Sequence, residues 1–275
     1  MHPPIRVGLC GYGYWGVAVA RNLEDTPGLE IAAIAEPDLD RLGAAGRRFP
    51  LARLWPDASE MLACDDLDAV VVTTPVSTHY SLGMAALRSG LHVLMAKPLA
   101  ASLADAEHLA EFAQEHSLTL LTDHTFLYHP AAAKLHELVH DFTLGDVWHV
   151  ESSRTNLGTV RPDVDVVWDL AAHDLSMLLY LFGPVEVVAA AGSDPLGLGR
   201  PAVAQLVCRL AGGALATIEV SWLSPVKVRR FLVCGSAASA LWDDVDAAEP
   251  LRVYDRGIDL DPEQARVSYR LGAVT

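Results

Sequence analysis

Short apolar, β-branched runs alternate over the first 122 positions with segments whose apolar residues recur every three or four places, which predicts strand and helix in strict succession. Strands are expected at residues 5–10, 30–35, 53–55, 68–73, 92–95 and 118–122, and helices at 14–24, 39–48, 58–63, 77–89 and 103–116. That order implies right-handed crossovers and a parallel, doubly wound α/β sheet, with ligands gathered at the carboxyl ends of its strands.

Beyond residue 122 the period changes. After a helix at 130–140, strands show one-sided alternation: Ala204, Leu206, Cys208 and Leu210 oppose Gln205 and Arg209, and Ala216, Ile218, Val220 and Trp222 oppose Thr217, Glu219 and Ser221. Gly212-Gly213 predicts a hairpin between 202–210 and 214–222. Ser224-Pro225 predicts a turn before a strand at 226–235, and 266–270 is also strand-like. The expectation is a Rossmann domain over 1–122 and an α+β substrate and oligomerisation domain over 123–275, built on a large, mostly antiparallel open sheet. A polar sheet face this wide predicts a homo-oligomer, a dimer or tetramer.

Composition narrows the partners. Of 275 residues, 51% are hydrophobic, enough for two sizeable cores, and a net charge of −15 without a basic block argues against nucleic acid and anionic membranes. Cys10, Cys64, Cys208 and Cys234 are far apart, form no metal-ligand pattern, and read as buried small hydrophobes in a reducing, cytoplasmic setting. Pro3-Pro4 leads directly into the first strand, and no apolar stretch of about 18 residues occurs, so neither export nor a membrane span is expected.

The first candidate chemistry is Gly11-Tyr12-Gly13-Tyr14-Trp15-Gly16, between strand and helix, with Glu36 ending the second strand. Gly11 permits the tight turn, Gly13 leaves room for a pyrophosphate, and Gly16 lets the helix approach the sheet, with its N-terminus toward the phosphates. A carboxylate at Glu36 accepts ribose hydroxyls and repels a 2′-phosphate, so NAD is favoured over NADP. Thr73-Thr74-Pro75 and Lys97-Pro98 follow the fourth and fifth strands on the ligand edge; the threonines alternatively only start a turn, and the lysine alternatively only carries surface charge. In the second domain, Trp168-Asp169-Leu170-Ala171-Ala172-His173-Asp174 predicts a helix running to about Phe182, with Asp169 and His173 one turn apart on one face. His173 is suited to proton transfer near neutral pH; the alternative is that Asp169 merely caps the helix and His173 bonds within the core.

Together these motifs resemble the glucose-fructose oxidoreductase, inositol dehydrogenase and MocA family of NAD(P)-dependent oxidoreductases, from the first strand to about Gly235. The resemblance implies a catalytic set of Lys97, Asp169 and His173. It also implies a cofactor lining of Gly11, Gly13, Tyr14, Trp15, Gly16, Glu36, Thr73, Thr74, Pro75, His79, Lys97 and Pro98, and substrate contacts from Arg154, Asn156, Trp168 and His173. The implied reaction is hydride transfer between nicotinamide and a secondary alcohol of a sugar, sugar nucleotide or cyclic polyol, with no metal. Two features depart from the family: Ala96 stands where it carries Glu, and the chain stops at Thr275, short of the usual closing helix. A redox-assisted glycosidase and a catalytically degenerate NAD-binding regulator are the alternative readings.

Overall fold

The computed structural model describes residues 3–63, 66–261 and 266–275, which fall into two compact units, Met1–Asp123 and His124–Thr275. Cys64 lies outside the described residues.

The first unit holds strands β1 (Ile5–Cys10), β2 (Leu29–Ala35), β3 (Arg53–Trp55), β4 (Ala69–Val72), β5 (His92–Ala96) and β6 (Leu120–Asp123), all parallel in the order β3-β2-β1-β4-β5-β6. The order reverses between β1 and β4, the switch point at which doubly wound sheets bind nucleotides. Helices α1 (Tyr14–Asp25), α2 (Leu39–Arg48), α3 (Ala58–Leu62), α4 (His79–Arg88) and α5 (Leu103–Glu115) cover the sheet. Val7 and Leu9 join Ala20 and Leu23 of α1 in one core, whereas Cys10, Val70 and Val72 join Met61, Leu87 and Leu109 in the other. Alternate residues of each strand thus enter opposite cores, as a sheet covered on both faces requires. The expected helix at 77–89 is split: Val76–Thr78 forms a 3-10 turn after Pro75, and the α-helix begins at His79.

In the second unit α6 (Pro130–His140) precedes β7 (Val147–Leu157), a π-helical turn at Val167–Ala171 and α7 (Ala172–Phe182). Strands β8 (Val185–Ser193), β9 (Val203–Leu210), β10 (Leu215–Ser221), β11 (Leu223–Gly235), β12 (Ser239–Asp243), β13 (Leu251–Asp261) and β14 (Arg266–Val274) complete an eight-stranded sheet ordered β14-β13-β12-β11-β7-β10-β9-β8. Only the β7–β10 pair is parallel. Leu206, Cys208, Ile218, Val220, Trp222 and Phe231 pack against Leu135, Met177 and Leu181 of the helices, while Gln205, Arg209, Thr217 and Glu219 stay exposed opposite them.

Two sequence expectations change. Ser224-Pro225 is no turn between strands: β11 runs through it, and the ladder with β7 instead shifts register between Leu223 and Val228. Proline has no N–H to give to the ladder, so an irregularity absorbs it. The helix at Asp169 is not a single α-helix either, because a π turn precedes α7. Cys10 and Cys208 are buried as expected, whereas Cys234 is partly exposed.

Candidate functional site

The glycine loop leaves β1 through Gly11, whose φ of +93° belongs to the left-handed region and whose N–H donates to the Ala35 carbonyl at 2.8 Å. A Cβ on Gly16 would lie 2.2 Å from the Gly11 carbonyl oxygen, so that glycine is demanded by the close approach of α1 to the loop. Gly13 differs. Its φ is an ordinary −78°, and the nearest atom to a Cβ there is Nη1 of Arg41, at 3.8 Å. Among the described residues nothing requires a glycine at 13, whereas an incoming phosphate would. Tyr14 is almost fully exposed, and Trp15 donates its indole N–H to Oδ2 of Asp123 at 3.1 Å.

Glu36 is buried, and each carboxylate oxygen already takes a backbone N–H: Tyr12 at 2.6 Å and Asp38 at 3.1 Å. The acid that ends β2 therefore anchors the loop after β1. Thr73 continues the same bracing, since its hydroxyl lies 2.9 Å from the Gly11 carbonyl and 3.1 Å from that of Cys10. Thr74 shares a 2.7 Å hydroxyl contact with Thr78, and Pro75 starts the 3-10 turn. His79 is 1% exposed, with Nδ1 2.8 Å from the Pro98 carbonyl and Nε2 2.9 Å from the Thr74 carbonyl. Its ring sits behind the segments after β4 and β5 and holds them together. Lys97 is half-buried at the end of β5, joined to Pro98 by a cis peptide.

In the second unit Asp165, not Asp169, caps the π turn: its Oδ1 accepts the N–H groups of Val167 and Trp168, each at 2.9 Å. Asp169 is left to accept the indole N–H of buried Trp222 at 2.9 Å, with Arg161 Nε 3.8 Å from its other oxygen. His173 lies in the first turn of α7, its ring edge-to-face with Phe126 at 4.9 Å between centroids. Trp168 is 40% exposed on the π turn. Turns of this type interrupt helices at functional positions more often than elsewhere.

Arg154 and Asn156 sit two apart on β7. Arg154 is buried and forms a two-pronged bond with Asp174, at 3.1 Å from both Nε and Nη2, and Asp174 also accepts the Ser152 hydroxyl at 2.8 Å. The guanidinium also lies 4.2 Å from the Phe126 ring centroid. Its charge is therefore met inside the protein. Asn156 remains half-buried nearer the strand end. The sequence pattern places Asp174 and Trp222 in a helix and a strand but assigns them no part in the site, and it does not single out Phe126, Asp165 or Asp123; of these, Asp174 left a signal, as a carboxylate inside a largely apolar helical run.

The family model described as "Oxidoreductase family, NAD-binding Rossmann fold" matches residues 5–124, and that described as "GFO/IDH/MocA C-terminal domain" matches residues 132–241. The chain is 29% identical to D-apiose dehydrogenase of Paraburkholderia graminis over 78% of its own length and 60% of that protein's. It is 28% identical to UDP-N-acetylglucosamine 3-dehydrogenase of Acidithiobacillus ferrooxidans over 94% of its own length and 79% of the relative's. Among solved structures, GenD2 from gentamicin A biosynthesis in complex with NAD superposes with a TM-score of 0.84 at 25% identity, covering 92% of this chain and 76% of GenD2. With both its halves matched in order, a 3-2-1-4-5-6 parallel sheet behind the glycine loop and a mixed eight-stranded sheet after it, the chain belongs to the Gfo/Idh/MocA family of NAD-binding oxidoreductases.

Proposed function

We propose that the protein is an NAD-dependent dehydrogenase that transfers a hydride between nicotinamide and a secondary alcohol carbon of a sugar, sugar nucleotide or cyclic polyol. The observation that carries this reading is the open space at Gly13, a glycine that neither the turn nor the packing of the chain demands. The substrate class is supported by two relatives named for a sugar and a sugar nucleotide.

When bound, NAD supplies the hydride acceptor. In this reading the backbone of Gly11, Gly13, Tyr14, Trp15 and Gly16 cradles the pyrophosphate at the α1 N-terminus, Glu36 faces the adenosine ribose, and Thr73, Thr74 and Pro75 border the dinucleotide. His79 and Pro98 position that border and Lys97. Lys97 Nζ holds the alcohol oxygen and stabilises negative charge as it develops. His173 takes the hydroxyl proton on a ring nitrogen, and Asp169, fixed by Trp222, orients the imidazole. The lysine and the histidine can exchange the role of proton carrier. Trp168 and Asn156 supply substrate contacts, with Arg154 positioning through Phe126.

We place the enzyme in the cytoplasm as a homo-oligomer that covers the polar sheet face. Support comes from the free thiols of Cys10, Cys208 and Cys234 and from the exposed row of Gln205, Arg209, Thr217 and Glu219. Among the described residues no helix is long and apolar enough to cross a membrane.

The test is NADH formation against a panel of sugars, polyols and sugar nucleotides, with Lys97→Ala and His173→Ala each expected to lower kcat by about 10²–10⁴-fold. Wild-type turnover in both variants overturns the assigned roles. Aglycone release without net NADH identifies the glycosidase instead, and tight NADH binding without turnover of any substrate identifies a regulator.

A further inference from the structure

Strand β6 lies three places from β1 in the sheet, beyond β4 and β5. At about 4.8 Å per strand that is about 14 Å. Trp15, in the first turn of α1 after β1, nevertheless bonds the Asp123 carboxylate at the end of β6. The bond thus links the two flanks of the β4–β5 pair at the carboxyl edge of the sheet. Because the dinucleotide crosses the switch point between β1 and β4, and Glu36 marks the adenosine half on β2, the β4–β6 side is the nicotinamide half.

Asp123 is also the register partner of Ala96, the residue before Lys97. Ala96 carries no polar group, so the carboxylate at this part of the edge comes from the neighbouring strand.

We infer that Asp123, held in place by Trp15, is the charge-bearing positioning residue of the nicotinamide half, and that the pair favours the oxidised cofactor over the reduced one. The inference rests on the NAD-dependent reading above. Its chemical basis is that the pyridinium ring of NAD+ is a cation and the dihydropyridine ring of NADH is neutral. A carboxylate and an indole face both attract the cation more strongly.

The experiment compares dissociation constants for NAD+, NADH and ADP in the full-length protein, by ligand titration with thermal unfolding as a folding check. Asp123→Asn retains an acceptor for the Trp15 N–H but removes the charge; it should weaken NAD+ about tenfold, NADH less than about threefold, and ADP not at all. Trp15→Phe retains the carboxylate but removes its donor and should weaken NAD+ and NADH while sparing ADP. Ala96→Glu added to Asp123→Asn should restore the preference for NAD+ by supplying the charge from β5. Equal losses for all three ligands, an unchanged ratio of NAD+ to NADH affinity in Asp123→Asn, or unaltered binding in Trp15→Phe overturns the inference while leaving the dehydrogenase reading intact. Wild-type protein that binds neither NAD+ nor NADH overturns both.

Discussion

Glu36 takes the backbone N–H of Tyr12 at 2.6 Å, so the acid at the end of β2 fixes the glycine loop at the end of β1. One side chain thereby combines a structural tie with the proposed discrimination between NAD and NADP. Glu36→Gln, which keeps an acceptor but not the charge, should lower the preference for NAD over NADP by about tenfold. Glu36→Ala should in addition cost about 1–3 kcal/mol of stability, because the Tyr12 N–H loses its partner in a buried place. Paired cofactor kinetics and urea unfolding measure the two effects, and an unchanged cofactor ratio in Glu36→Gln would remove the residue from specificity.

The Arg154–Asp174 pair offers a stability test independent of catalysis. Asp174→Asn strands a guanidinium that is only 8% exposed and should cost about 3–5 kcal/mol, with much of the loss recovered when Arg154→Met is added. Denaturant midpoints of the two single variants and the double variant check this; a loss under about 1 kcal/mol in Asp174→Asn would show that the pair is solvated in solution.

His79 places Nδ1 2.8 Å from the Pro98 carbonyl and Nε2 2.9 Å from the Thr74 carbonyl, so one buried ring ties the segments after β4 and β5. His79→Phe should cost about 1–3 kcal/mol, because these polar contacts are lost in a buried place. Urea unfolding checks this, and a stability within about 0.5 kcal/mol of wild type would show that the ring does not hold the two segments.

Burial pushes the Cys10 thiol up to about 12 from its ordinary value of 9.0. At pH 8 only about one molecule in 10⁴ carries the thiolate, so a thiol reagent should leave native Cys10 unmodified and react on unfolding. The linked stability change has a definite sign. The fold favours the neutral thiol, so its contribution is complete below pH 9 and declines as the pH rises toward 12, by an order-of-magnitude total of ~4 kcal/mol. Unfolding curves of wild type and Cys10→Ala should converge over that interval, whereas parallel curves would contradict it.

Much of the molecule was legible from local pattern. Helices 39–48 and 130–140 and the strand 53–55 occur at their expected bounds, and the hairpin around Gly212-Gly213 pairs Leu215 with Arg209 as the alternation implied. Such features depend on side-chain period and on the backbone freedom of glycine, both of which are properties of consecutive residues. The Ser224-Pro225 expectation failed for the complementary reason: a proline that would end an isolated strand is tolerated where a neighbouring strand can shift its register.

By itself, then, the sequence determined the order of elements, the two kinds of sheet, and the glycine loop with its terminal acid, because each follows from period, turn chemistry or a required φ. Only the tertiary structure decided which carboxylate does what. Asp165 caps the turn and leaves Asp169 to Trp222; Asp174 absorbs the charge of Arg154; and Asp123 arrives beside Ala96 through the register of β5 and β6. Each outcome turns on a hydrogen bond of about 3 Å, short enough that strand register and the helical turn, rather than spacing along the chain, choose the partner.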